Sequence, residues 1–180
     1  MTGVQTCALP ISRAPYELGV KVSIATTNAC APGGQFVLHA AALPGNPYDG
    51  HTLRVAIEGT QRLNGRDIER AYVNKGYRGH DAPNPRRVFI SGQKRGIFGT
   101  IKRELRRRSA IEPLIGHMKE EGHLGRCYLK GHAGDAANAI LTAVGYNFRR
   151  ILAWLRILLR SLFCALIAAF APLLIPNRAC

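Results

Sequence analysis

Apolar and polar positions alternate over Tyr16–Thr26, a run rich in β-branched residues, and this period of two predicts a strand. Ala31-Pro-Gly-Gly34 reads as a turn, and Gln35–Ala42 as a second strand closing a hairpin. Pro44–Gly50 is dense in turn formers. His51–Leu63 then switches to helical spacing, with Leu53, Val55, Ala56 and Ile57 apolar. Ile68–Val73 predicts a third strand, Lys75–Arg87 a loop and Val88–Ser91 a short fourth strand.

From Gly99 to about Glu121 the pattern is helical and basic, interrupted at Pro113. Ile111, Leu114, Ile115 and Met118 form an apolar stripe at i, i+3, i+4 and i+7. Gly122–Gly134 reads as a loop. Asp135 is placed to cap a long apolar helix that Pro172 would stop near Ala171. Two strands, a helix, further strands and then helices predict an α/β domain.

Charge changes the picture. The chain has 180 residues and a formal net charge of +14, a balance that favours a polyanionic partner. Residues 75–132 carry fourteen Lys and Arg against five Asp and Glu. The densest run holds Lys94, Arg95, Lys102, Arg103, Arg106, Arg107 and Arg108 against one acid, Glu104. This composition supports salt-sensitive contact with a nucleic-acid backbone, and the competing reading is a solvated helix face.

The five cysteines are scattered without a Cys-x-x-Cys pair, which argues for reduced thiols over a disulfide framework. His80, His117, His123 and His132 have no zinc-finger spacing and read as surface or loop residues. Ile151–Ile175 is long enough to span a bilayer, but Arg156 and Arg160 interrupt it. A helix packed on the sheet is the preferred expectation, with membrane association the lesser one.

The opening residues MTGVQTCALPIS stand apart. They lack the basic and long apolar regions of a signal peptide. They resemble the translation of a common short-read sequencing adaptor, in which eleven full codons match from a GTG start. Residues 1–12 are therefore expected to be foreign and to find no stable packing.

Two positions carry candidate chemistry. On one helix, Arg108, Glu112 and Lys119 fall within roughly 40° of each other, beside the apolar stripe. A carboxylate there, flanked by two cations, suits a metal ion held next to a phosphate backbone. Ser109-x-x-Glu112 is also a capping box, and Arg108 and Glu112 could equally form a surface ion pair. The second position is Asn74, where a strand ends before a Gly turn, an edge that often lines α/β sites. An Asn there also serves as an ordinary turn former.

VNKGYRGHD and RRSAIEPLIGHMKEEGHLGR, together with PGNPYDGHTL and GYNFRRILAWL, resemble blocks of DDE transposases of the insertion-sequence-five type. The resemblance runs from about Arg13 to Leu166. It implies a ribonuclease-H-like α/β fold, a mixed sheet flanked by helices, truncated here and followed by a long apolar C-terminal helix. It divides the chain into residues 1–12, a partial catalytic domain over 13–171 and a tail over 172–180. The implied reaction is Mg²⁺-dependent cutting and joining of transposon ends, with two ions held by three carboxylates.

In that family a strand ends in Asp-Lys-Gly-Tyr, and the Asp binds metal; here the position is Asn74. The third carboxylate lies in Arg-x3-Glu-x6-Lys, met by Arg108, Glu112 and Lys119, with Glu112 the implied metal ligand. The Tyr that the family often carries three residues before that Arg is Leu105. The first Asp lies on a strand upstream of Arg13. An inactive remnant is therefore expected. Lys75, Arg78, Lys94, Arg95, Lys102, Arg103, Arg106, Arg107, Arg108 and Lys119 are the expected DNA contacts. DNA at transposon ends is the implied partner, with a homo-oligomer also possible and a membrane disfavoured. The implied location is the bacterial cytoplasm, at the nucleoid.

Overall fold

The computed structural model describes residues 3–8, 19–29 and 33–174. Five strands form one mixed sheet: β1 Gly3–Ala8, β2 Lys21–Thr27, β3 Val37–Leu43, β4 Arg70–Val73 and β5 Val88–Ile90. Their order is β3-β2-β1-β4-β5, with β2 antiparallel to both neighbours and β4 parallel to both of its own. Helices are α1 Leu53–Asn64, α2 Gly99–Arg107, α3 Ile111–Glu120 and α4 Gly131–Leu174.

Residue parity along the strands sorts the core onto two faces. Ala25, Ala71, Val73 and Val88 pack with Leu53 and Ile57 of α1 on one side. Ile24 and Val37 pack with Ile111, Leu114, Ile115 and Met118 of α3 and with Ala143 and Tyr146 of α4 on the other. The stripe predicted on α3 is thus the one it buries. α1 ends at Gly65, whose φ of 62° lets its N–H reach the Gln61 carbonyl at 2.8 Å.

Several expectations need correction. Gly3–Ala8, set aside as foreign and unpacked, is the central strand. Val4–Ala8 pair with Ser23–Thr27 on one side, and Gly3–Thr6 with Arg70–Val73 on the other. Strand pairing uses main-chain groups, so a short segment with Val, Thr and Cys fills the slot whatever its origin. The rest of residues 1–12, and Tyr16–Leu18 of the predicted first strand, lie outside the described residues.

The Ser109 capping box does not form. Arg107 and Arg108 keep helical backbone angles, a single 3-10 turn joins α2 to α3, and the Ser109 hydroxyl donates to the Arg106 carbonyl at 2.9 Å. Asp135 is interior to α4, which begins four residues earlier at Gly131. Pro172 does not stop α4, which continues to Leu174; proline's fixed φ is helical, and its cost is one lost hydrogen bond and a local clash.

The start of α4 is clamped to the edge strand. Asn147 Oδ1 accepts from Val37 N at 2.9 Å, and Asn147 Nδ2 donates to Val37 O at 2.8 Å. Arg150 Nε donates to Gly33 O at 3.0 Å, and Thr142 Oγ1 donates to Gly122 O at 3.0 Å. From Ile151 to Phe170 every residue is exposed, so this half of the helix is not packed on the sheet as expected.

Candidate nucleic-acid interface

α2 divides cleanly by direction. At about 100° per residue, Lys102, Arg103, Arg106 and Arg107 fall within one sector of roughly 140°. All four are exposed. Ile101, Glu104, Leu105 and Arg108 share the opposite side and are all partly buried.

Glu104 fixes that orientation. Its carboxylate accepts from Arg70 Nε at 3.0 Å and, at very short range, from the Tyr72 hydroxyl. Its main-chain carbonyl accepts from Asn28 Nδ2 at 3.1 Å. Arg70 and Tyr72 lie two apart on β4 and so share a sheet face. Burial, and then the bond to Glu104, push the Tyr72 phenol above its ordinary range, so it stays a donor. The single acid of the basic run is therefore turned inward. Among the described residues no acid pairs with Lys102, Arg103, Arg106 or Arg107 on the solvent side, an arrangement that can meet a row of phosphates.

The remaining expected contacts are spread around this helix. Lys94 and Arg95 are exposed in the turn before α2, and Lys119 is exposed on α3. Lys75 and Arg78 are exposed in the turn after β4. The Arg78 carbonyl accepts from the Tyr48 hydroxyl at 2.6 Å.

Glu112 opens α3 on its exposed side and takes an ion pair from Arg108 at 3.3 Å. The pair joins an exposed carboxylate to a largely buried arginine side chain. Asn74 is held elsewhere. Its Oδ1 accepts from Gly76 N at 3.0 Å and caps the short turn Lys75–Tyr77.

A residue not singled out from the sequence lies beside it. A side chain at Gly76 would meet Asp49 Oδ2 at 2.6 Å and Asn74 Oδ1 at 3.1 Å, so the two oxygens flank this glycine. Asp49 is bound to Lys21 Nζ at 2.8 Å, and the same ammonium donates to Pro47 O at 2.7 Å. The signal available in the sequence was Asp49 within a turn-rich block. Nothing in its spacing ties it to Asn74.

These donors do not fit a two-ion magnesium centre. Asn74 offers a neutral amide oxygen already engaged, and Asp49 is neutralised by Lys21. Glu112 is paired on a separate element. The segment of β1 beside β4, Gly3–Thr6, contains no acid. Among the described residues, no group of three or more His, Cys, Asp or Glu is placed to hold a metal ion.

Residues 93–152 match the transposase DDE domain family. The matched stretch contains α2, α3 and the clamped start of α4, and with them Arg108, Glu112 and Lys119. It links this third of the chain to a transposase-related function; Asn74 lies outside it. No curated protein and no solved structure matches the chain.

Proposed function

We propose that this chain is a transposase-derived domain that binds duplex DNA through its phosphates and does not cut it. The observation that carries the reading is the outward cationic face of α2, inside the stretch that matches the transposase DDE family. The mixed β3-β2-β1-β4-β5 sheet, flanked by α1 on one face and α3 and α4 on the other, supports a ribonuclease-H-like origin. In that reading Asn74 and Glu112 stand at the second and third metal-binding positions of the parent family, and the exposed Lys119 grips a backbone phosphate beside Glu112, whereas Arg108, expected as a further DNA contact, has a side chain only 12% exposed and is spent on its pair with Glu112.

Catalysis fails on charge. In-line displacement at phosphorus by two Mg²⁺ ions needs several hard carboxylate oxygens converging on one point. An amide at 74 removes a negative charge from the centre of that set, and β1 supplies none. The test is incubation of the chain with supercoiled and transposon-end DNA in Mg²⁺ or Mn²⁺. The expected result is binding without nicking. Metal-dependent nicking that is lost in Glu112→Ala would overturn the assignment.

A further inference from the structure

The exposed half of α4 has no counterpart in a DNA-binding role. Its most apolar eighteen-residue window has a mean hydropathy of 2.0, and none of it is buried. Ile157, Leu158, Leu162, Phe163, Ile167 and Phe170 are all between 41% and 68% exposed. On a helical wheel these six spread over roughly 260° of the circumference. An amphipathic helix docking in a protein groove shows a narrower stripe, whereas a helix apolar nearly all round belongs in a core or in lipid.

Charge selects between the remaining occupants. Arg156 and Arg160 lie one turn apart at the base of this segment, and no acid follows Asp135 in the sequence. A second copy of α4 would cover one side only and, carrying no acid after Asp135, would offer Arg156 and Arg160 no counter-charge along this half. An anionic phospholipid surface supplies both the apolar medium and the counter-charge. The run from Ser161 to Leu174 is about 21 Å long at 1.5 Å per residue, less than the roughly 30 Å of a hydrocarbon core. This length fits insertion into part of the bilayer, with both guanidiniums reaching the headgroups.

The geometry points to α4 as a membrane anchor: its Ser161–Leu174 end enters an anionic bilayer, and Arg156 and Arg160 at its base bind lipid phosphates. The anchor is independent of the DNA reading, since α2 and the far end of α4 are separate surfaces.

The test is flotation of the full chain with phosphatidylcholine vesicles and with vesicles containing phosphatidylglycerol. It is read together with the emission of Trp154, the sole tryptophan, which lies two residues before Arg156. The expected result is flotation with the anionic vesicles and a blue shift of Trp154. Arg156→Gln with Arg160→Gln should lower partition onto those vesicles by about 30-fold. Leu162→Lys with Ile167→Lys should abolish the blue shift while circular dichroism and duplex-DNA binding stay unchanged. Flotation that ignores both pairs of substitutions, or concentration-dependent self-association with no vesicle binding, would overturn the proposal.

Discussion

Glu104 of α2 and Arg70 of β4 form an ion pair at 3.0 Å, with side chains only 13% and 22% exposed. The pair pins a strongly basic helix to the sheet by its one acidic residue. Removing one partner of a largely buried pair leaves the other charged and poorly solvated. Glu104→Ala is expected to lower stability by about 2–4 kcal/mol, read as a urea midpoint shift. Glu104→Gln, which keeps an acceptor for Tyr72, should cost less.

Asn74 acts locally as a turn cap. Asn74→Ala removes the acceptor for Gly76 N and should cost about 1 kcal/mol. Asn74→Asp keeps that acceptor, so its unfolding midpoint should stay near that of the parent chain. Nicking should remain absent in Asn74→Asp, because β1 still contributes no carboxylate. A gel assay with Mn²⁺ on this variant checks the point.

His39 makes stability depend on pH. Burial, and then the nearby Arg62 charge, hold its imidazole below the ordinary 6.5. Between that lowered value and 6.5 the unfolded chain binds more protons than the folded one, so stability falls as pH drops through this window. Urea midpoints at about pH 7.5 and about pH 5.5 should therefore differ, with the lower value in acid. His39→Gln should reduce the difference.

Much of the fold was legible because periodicity reports burial directly. The period of two marked β2, the hairpin reading after the Ala31–Gly34 turn placed β3, and the apolar stripe marked the buried side of α3. What failed depended on information outside those periods. β1 was invisible because its residues looked foreign, while pairing with β2 and β4 asks only for available main-chain groups. Ser109 could not cap, since the chain was already helical before it. The inward turn of Glu104 was present in the spacing of Ile101, Glu104, Leu105 and Arg108 along α2. It gained meaning only from Arg70 and Tyr72, which are more than thirty residues away in sequence. Asp49 beside Asn74 is a tertiary juxtaposition of the same kind.

The most direct test of the central claim is the salt dependence of duplex-DNA binding, followed by fluorescence anisotropy. Each phosphate neutralised by the α2 face releases condensed counterions, so log affinity should fall by nearly one unit of slope per contact against log salt. Replacing Arg103, Arg106 and Arg107 by Ala should weaken binding to every sequence about equally and flatten the slope by roughly two or three units. Glu112→Gln should leave binding intact or tighten it slightly, because it removes a negative charge near the backbone. Salt-independent binding, or an unchanged slope in the triple variant, would contradict the account and reduce the α2 cations to a solvated helix face.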